Sequence, residues 1–183
     1  MCFPVCTRTA FGYEWGNVRP NMRCYACQQN PAVIGLLCDE CRDELRSPLR
    51  LAPEQVVSRP ASGAGPRAAL LDSWGRAHLL DPRTVVGRQI EGTGLSLLEA
   101  SISRHHAHIT YDASAQRWRV RDLGSANGTM VNEHPIAEAV DLNQADRVSF
   151  GQVGFYFIAD AQALPQVQLD PKLAETIKPA PDI

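Results

Sequence analysis

Short apolar runs alternate with turn sequences from residue 67 to about residue 160. Runs such as TVVGR, HAHITYD and VGFYFIAD are separated by turn segments such as EGTG, GSANG and FGQVG. Short strands at close, regular spacing are typical of a β-sandwich or barrel. The segment RWRVRD alternates with period two, so we expect Trp118 and Val120 to face the core and its arginines to face solvent. The pattern predicts an all-β domain over residues 67–160.

The segments that flank this domain have different compositions. Residues 48–66 contain four prolines and two glycines, which predicts a linker. Residues 161–183 contain four prolines and little apolar periodicity, which predicts a disordered tail. Residues 1–21 show no periodicity either, so we expect a disordered segment or an extension that precedes a true start at Met22.

Composition and charge narrow the classes of function. The chain has a formal net charge of −2, which gives no long-range attraction to nucleic acid or to anionic lipid. No apolar run approaches the roughly 18–20 residues that a membrane-spanning helix needs. The N-terminal sequence also lacks the apolar core of a signal peptide. We therefore expect a cytoplasmic protein with no membrane partner.

All six cysteines lie within the first 41 residues, and four of them form two Cys-x-x-Cys pairs. Two intervening residues let a tight turn direct both sulfurs at one ion, and two such pairs complete the tetrahedral shell of a structural zinc ion. Residues 22–47 are therefore predicted to form a zinc module of the zinc-ribbon or treble-clef type. We expect a hairpin that turns at Asn30-Pro31, followed by a helix over DECRDELRS. The predicted ligands are Cys24, Cys27, Cys38 and Cys41.

Other chemistry for these cysteines stays open. Free thiols, a redox pair or an iron–sulfur cluster can use the same spacing. A module this short cannot bury a sufficient core, so a metal ion is expected to fold it. Its mixed charge and lack of interleaved aromatic residues leave protein docking and nucleic-acid binding equally open. Cys2 and Cys6 complete no site.

Four motifs of the β domain occur in a fixed order. They are Gly87-Arg88, Ser103-Arg104-His105-His106-Ala107, SANGTMVN over 125–132 and DRVSFG over 146–151. Order and spacing together resemble the forkhead-associated (FHA) domain family over about half of the chain. The resemblance implies an eleven-stranded β-sandwich that binds phosphothreonine peptides through loops at one end. It also implies a non-catalytic adaptor in Ser/Thr kinase signalling, whose partner is a phosphorylated protein or the kinase itself.

The residues of the first two motifs suit a phosphate ligand. A phosphothreonine carries about −1.5 to −2 charges and three strong acceptor oxygens. Arg88 offers a planar fork of donors that matches phosphate geometry. Ser103 adds a hydroxyl group, and Arg104 adds a second cation or a backbone N–H. These three residues are the candidate phosphate contacts.

The resemblance gives the remaining motif residues supporting roles. It assigns Asn127 to the peptide backbone beside the phosphothreonine and His106 to bracing of the loops. Gly87 and Gly128 permit tight turns that a Cβ atom would hinder. Ala126 departs from the pattern, because the family often has Thr or Ser there as a further phosphate contact. Affinity for phosphate is therefore expected to be lower.

Two alternative functions stay open, and catalysis is not expected. The β domain would be only a scaffold if the zinc module were a nucleic-acid or protein-docking factor. Phosphorylated Thr176, Thr7 or Thr9 of the chain itself would occupy the loops in an intramolecular complex. Ser103 and His106 lack the G-x-S-x-G setting of a hydrolase nucleophile, and neither a phosphate-binding Walker loop nor a dinucleotide motif is present.

Overall fold

The computed structural model describes residues 22–46, 49–60 and 65–162 together with Leu164. The elements are α1 (Asp39–Arg46), a 3-10 turn (Pro53–Gln55), β1 (Val56–Arg59), β2 (Ala68–Leu71), β3 (Ala77–Leu80), β4 (Arg83–Gly87), β5 (Gly94–Leu97), β6 (Ala107–Asp112), β7 (Arg117–Asp122), β8 (Thr129–Val131), β9 (His134–Pro135), β10 (Val140–Leu142), β11 (Arg147–Phe150) and β12 (Val153–Ile158). The strands form two six-stranded sheets. The first sheet has the order β1-β5-β4-β6-β7-β10, and the second has the order β3-β2-β12-β11-β8-β9.

The core lies between the two sheets. Trp118 is 3% exposed and Val120 is fully buried, whereas the arginines of β7 are exposed or half-buried, which confirms the predicted alternation. Phe150, Phe155 and Phe157 of the second sheet are among the largest fully buried side chains. The ring of Phe157 packs at 6.2 Å from that of Trp118, between centroids, and so joins the sheets. The prediction of an all-β sandwich is confirmed.

The segment before the predicted domain also belongs to the sandwich. β1 pairs antiparallel with β5 at the edge of the first sheet. Leu51 and Val56 lie in the buried core. The linker predicted over 48–66 therefore has to be corrected for residues 49–60. Its prolines mark the boundaries of short elements, as Pro60 does directly after β1, and the described residues contain twelve strands rather than eleven.

The cysteine module contains the predicted helix but turns at a different place. α1 covers most of the segment DECRDELRS. Antiparallel bridges join Arg23 to Pro31 and Ile34 to Leu37. The turn of the hairpin therefore lies at Gly35-Leu36 and not at Asn30-Pro31. The expectation fails because Pro31 takes part in the bridge that closes the first cysteine turn.

This module packs against the outer face of the second sheet. The buried cluster between them consists of Cys24, Leu36, Leu37, Cys38, Cys41, Leu45, Ala69, Leu71, Tyr156, Ile158 and Ala161. The N–H of Leu36 donates to the Gly75 carbonyl over 2.9 Å. The two backbones approach so closely that a Cβ atom on Gly75 would lie 2.2 Å from the Ile34 carbonyl oxygen. The module is thus part of the same folded body as the sandwich.

A buried charge cluster shapes the turn that contacts the module. The Asp72 carboxylate accepts hydrogen bonds from Arg76 Nε at 2.7 Å and from His78 Nε2 at 2.8 Å. Burial raises the pKa of Asp72, but the hydrogen bond and charge of His78 and the charge of Arg76 outweigh that effect, so the pKa is lowered. Arg42 of α1 donates to the carbonyl of Ser73 in this turn over 3.3 Å. The turn therefore holds the helix and the sheet together.

The C-terminal end of the fold reaches into the predicted tail. Ala161 is buried, and its N–H donates to the Arg67 carbonyl over 2.9 Å. Residues 1–21 and 165–183, where disorder is predicted, lie outside the described residues. Within the described residues, no helix is long and apolar enough to cross a membrane.

Replacement of Gly75 by alanine tests the close contact between the module and the sheet. Gly75 has a φ of +70°, and the added Cβ would also collide with the Ile34 carbonyl. Gly92→Ala is the matched control, because Gly92 has a φ of +82° but no neighbouring atom within 4 Å. We expect Gly75→Ala to lower the free energy of unfolding by about 1–3 kcal/mol more than Gly92→Ala. Equal losses in urea denaturation would contradict this packing.

Candidate functional site

A cleft opens at one end of the first sheet, where β4 ends and β6 begins. It has a volume of about 610 Å³ and is lined by Arg88, Ser103, Arg104 and His105. The backbone N–H of Arg88 donates to the Ser103 carbonyl over 2.9 Å, which joins the two loops. The fold therefore brings together the three residues that the sequence indicates as phosphate contacts.

Two arginines give this cleft its positive charge. Arg88 and Arg104 are exposed, and neither forms an ion pair with a residue that the structure describes. Gly87 sets their spacing, because a Cβ atom there would lie 2.1 Å from the Arg104 carbonyl oxygen. Only glycine lets the end of β4 pass this close to the second loop. The cations remain available to an anionic ligand.

Ser103 is oriented by the third loop. The Ser103 Oγ accepts a hydrogen bond from the backbone N–H of Ala126 over 3.0 Å. Because this contact uses a lone pair of the oxygen, the hydroxyl hydrogen is left to donate. Ala126 lacks the hydroxyl that is common at its position, but its backbone positions the Ser103 hydroxyl.

His106 connects the loops from inside the fold. The imidazole is 0% exposed and packs edge-on against the ring of Phe150 at 5.9 Å between centroids. Its Nδ1 accepts the Ser103 backbone N–H at 3.2 Å, so its Nε2 carries the proton and donates to the Gly128 carbonyl at 2.9 Å. Both nitrogens are therefore engaged by backbone groups, and neither is available as a base for the Ser103 hydroxyl.

Asn127 lies at the rim of the site. Its Nδ2 donates to the Ser101 carbonyl over 2.7 Å, and the residue is exposed. Ser101 is held in turn by Glu99, whose carboxylate accepts its backbone N–H and its hydroxyl. The Asn127 amide keeps its Oδ1 oxygen and a second N–H for a ligand. Gly128 follows with a φ of +72°.

Asp122 is a site residue that the sequence reasoning missed. Its carboxylate accepts the backbone N–H groups of Gly124 and Ser125, each at 2.8 Å. It also accepts the hydroxyl groups of Ser125 at 2.7 Å and Thr129 at 2.6 Å. Burial raises the pKa of Asp122, but the bonds from Thr129 and Ser125 outweigh it and lower the pKa. The D-x-G-S spacing, which favours a turn closed by the aspartate, is the signal that could have found it.

Comparison with known proteins identifies the family. A model of the FHA domain matches residues 84–151. The glycogen accumulation regulator GarA of Mycobacterium tuberculosis is 31% identical over 120 residues, which are 63% of this chain and 72% of that protein. The chain therefore belongs to the FHA domain family, and its two sheets form an FHA-type β-sandwich.

Two further similarities extend over less of the other protein. Protein phosphatase 2C 70 of Arabidopsis thaliana is 37% identical over 125 residues, which are 68% of this chain but only 19% of that protein. The chain thus spans about a fifth of that relative. A structure of Mycobacterium tuberculosis EmbR in complex with a low-affinity phosphopeptide matches with 33% identity and a TM-score of 0.48. That match covers 56% of this chain and 27% of EmbR.

The four predicted cysteine ligands meet in one place. Their sulfur atoms all lie within 4.8 Å of one another, and those of Cys27 and Cys38 are 3.8 Å apart. A tetrahedral shell with zinc–sulfur bonds of about 2.3 Å separates its sulfurs by roughly 3.8 Å. Cys24, Cys38 and Cys41 are buried, and Cys27 is half-buried. The cluster is therefore able to hold a metal ion.

The pKa values of three of these thiols are shifted by their surroundings. Backbone N–H groups of Asn30 and Gln29 lower the pKa of Cys27 to about 7. Burial raises the pKa of Cys38, and burial together with the neighbouring thiols of Cys38 and Cys24 raises that of Cys41. The thiols of Cys38 and Cys41, which resist ionisation by themselves, would be stabilised as thiolates by one central cation.

Replacement of Asp122 by asparagine tests its role in the third loop. The hydrogen bonds of Asp122 are divided between Oδ1 and Oδ2, and Asn keeps only one of these acceptors. We expect the free energy of unfolding at pH 7 to fall by about 1–2 kcal/mol. Because the lowered pKa of Asp122 stabilises the fold above the usual carboxyl range, the difference between the variants should begin to shrink as the pH falls below about 4 and should be lost as the pH passes through the lowered pKa.

Asp112→Asn is the matched control. Asp112 closes a similar turn, but its Oδ1 alone accepts the bonds from Ser114 and Ala115, and an asparagine oxygen can replace it. We expect a clearly smaller loss in the free energy of unfolding than for Asp122→Asn. A loss as large as that of Asp122→Asn would contradict the role given to the second Asp122 oxygen.

Proposed function

We propose that this chain is a non-catalytic adaptor that binds phosphothreonine peptides in Ser/Thr kinase signalling. The observation that carries the proposal is the meeting of Arg88, Arg104 and the Ser103 hydroxyl in one cleft, where no described carboxylate neutralises the arginines. A phosphate dianion supplies the charge and acceptors that this set lacks. The unphosphorylated peptide would leave the same donors without a partner.

Each residue takes a role that its contacts allow. Arg88 forms two parallel hydrogen bonds to two phosphate oxygens, and Ser103 donates its hydroxyl hydrogen to the third phosphate oxygen. Arg104 adds charge from the other side. The free Oδ1 and N–H of Asn127 bind the peptide backbone beside the phosphothreonine.

An adaptor accounts for the site better than an enzyme does. Both nitrogens of His106 are bonded to the backbone, so Ser103 has no base in the described site. The name of GarA, a regulator, also favours a binding function. We infer that the partner is a phosphorylated kinase or one of its substrates. Cysteines clustered in the first 41 residues suit a metal site in a reducing compartment, so we place this function in the cytoplasm.

We further propose that Cys24, Cys27, Cys38 and Cys41 bind one structural zinc ion. Four thiolates fill a tetrahedral shell and leave no position for a substrate, so the ion would stabilise the fold and take no part in a reaction. The packing of this module against the second sheet supports a structural role over independent docking to nucleic acid or protein. Intramolecular binding of Thr7, Thr9 or Thr176 stays a prediction, because these residues lie outside the described ranges.

Peptide titration of the full chain tests phosphothreonine binding. We expect a phosphothreonine peptide to bind, a phosphoserine peptide to bind more weakly and the unmodified peptide not to bind. Arg88→Ala should weaken binding by about 10- to 100-fold, since a charge-assisted hydrogen bond contributes about 1.5–3 kcal/mol. Ser103→Ala should weaken it by roughly tenfold. Isothermal titration calorimetry measures the affinity of each peptide for the chain and for each variant.

The matched control is Arg117→Ala, which removes an arginine at the far end of β7. Arg117 pairs with Asp141 and does not line the cleft. Its loss should leave phosphopeptide affinity unchanged within about twofold. Equal binding of phosphorylated and unmodified peptides would refute the proposed function.

Metal removal tests the structural zinc. Because the module covers apolar side chains of the second sheet, Cys24→Ser or prolonged chelation should remove one zinc ion per chain and lower the unfolding temperature of the whole body. Metal analysis and calorimetric melting report the two effects separately.

Cys2→Ser combined with Cys6→Ser is the control, because these cysteines lie outside the predicted ligand set. We expect this variant to keep its zinc ion and its unfolding temperature. Full zinc content in Cys24→Ser, or a chain purified without any metal and equally stable, would contradict the zinc site.

A further inference from the structure

The solvent face of the first sheet has an excess of arginine over acidic residues, although the chain as a whole has a negative net charge. Strand alternation places five arginines and two aspartates on the outer side of β1, β4, β6, β7 and β10. They are Arg59, Arg83, Arg117, Arg119, Arg121, Asp112 and Asp141. The whole chain has a net charge of −2. Positive charge is therefore segregated onto this face.

Only some of these charges are neutralised locally. Asp141 pairs with Arg117 at 2.5 Å and with Arg119 at 3.0 Å. The carboxylate of Asp112 is occupied by the turn that follows β6. Arg83 and Arg121 are exposed, and among the residues that the structure describes neither has an ion-pair partner.

Arg121 lies close to the cleft, and Arg83 lies further down the sheet, at the opposite end of β4 from Arg88. Arg121 is directly opposite His108 in the pairing of β6 and β7, one residue pair away from the strand ends that lead into the site. Arg83 lies opposite Thr110, which is the next residue of β6 after His108 on the solvent face of the sheet. Burial and the positive charge of Arg83 lower the pKa of His108 between them, as expected where cations are not balanced. A positive strip thus continues from Arg88 down the sheet.

We propose that this strip, defined by Arg83 and Arg121, binds an acidic segment on one side of the phosphothreonine in the same partner protein. The proposal rests on the proposed function, because the phosphothreonine fixes the peptide at the end of the strip. An extended segment covers about 3.3 Å per residue, so five residues reach roughly 16 Å. That length passes both rows of arginines. The strip selects among phosphorylated partners by carboxylates that the cleft does not contact.

An acidic peptide fits this strip better than nucleic acid. The outward positions of β4, β6 and β7 hold no phenylalanine, tyrosine or tryptophan on which a base could stack. The strip has two unpaired arginines, whereas nucleic-acid affinity depends on many phosphate contacts. Two arginines are enough to distinguish acidic from neutral peptides.

Fluorescence anisotropy with three phosphothreonine peptides tests the proposal on the full chain. One peptide has neutral flanks, one has five glutamates before the phosphothreonine and one has five glutamates after it. We expect one of the two acidic peptides to bind about 4- to 25-fold more tightly than the neutral peptide at 50 mM NaCl, since each of the two exposed ion pairs contributes roughly two- to fivefold. At 500 mM NaCl the advantage should nearly vanish.

Arg83→Gln combined with Arg121→Gln should abolish that advantage and leave the affinity of the neutral phosphopeptide within about twofold. Arg117→Gln is the matched control. It lies on the same face and the same strand, four residues from Arg121 and hence about 13 Å away, and Asp141 pairs with it. It should retain the preference for the acidic peptide.

The possible outcomes separate this inference from the proposed function. If the neutral phosphopeptide does not bind, the proposed function fails. If it binds but neither acidic peptide binds more tightly, or if the double variant keeps the preference, the strip does not have this role. A single-stranded oligonucleotide that competes with the neutral phosphopeptide and loses affinity in the double variant would also overturn the inference, because the strip would then be a nucleic-acid surface.

Discussion

The buried imidazole of His106 fixes the separation of the loops on which the site depends. One nitrogen accepts a backbone N–H from the Ser103 loop, and the other donates to the carbonyl of Gly128 in the third loop. A buried imidazole with both nitrogens satisfied has little freedom to move, because any shift would leave a polar group without a partner. The loops therefore hold their shape before a ligand arrives, which reduces the cost of ordering them on binding.

Support from Asp122 and close contact at Gly87 complete the same arrangement. Asp122 holds the third loop from one side, and Gly87 lets the first loop approach the second from the other. The result is a braced backbone with two exposed arginines that no described carboxylate neutralises. Such a site favours a ligand of high negative charge, and it gives a phosphate group an advantage that an unmodified threonine lacks. The cysteine module covers a different surface, the outer face of the second sheet, so the proposed metal ion would stabilise the body without touching the cleft.

Sequence motifs predicted which loops lie together better than they predicted the boundaries of the fold. Arg88, Ser103 and Arg104 line one cleft because each lies at or just beyond the end of a strand. Their separation along the chain can be read from a single sequence. The strand Val56–Arg59 was missed because the surrounding prolines resemble a linker. Its partner strand, Gly94–Leu97, also lies far along the chain, so no local pattern indicates the pairing. The packing of the module on the sheet was missed for the same reason, since an apolar residue such as Leu45 does not reveal which surface covers it. The spacing around Asp122 is visible in the sequence, but its four hydrogen bonds, which come from Gly124, Ser125 and Thr129, become evident only when the loop is folded.

A ligand that places the phosphate of a phosphothreonine in this cleft, as we propose, has to contact Arg88 and Ser103. The most direct measurement is a nitrogen–proton correlation NMR titration of the 20.1 kDa chain with a phosphothreonine peptide and with its unmodified counterpart. We expect saturable shifts of the backbone amides of Arg88, Ser103 and Ala126 with the phosphopeptide, together with a shift of the Arg88 side-chain N–H, and none of these with the unmodified peptide. Shifts confined to another surface, or the same shifts with both peptides, would contradict the proposal.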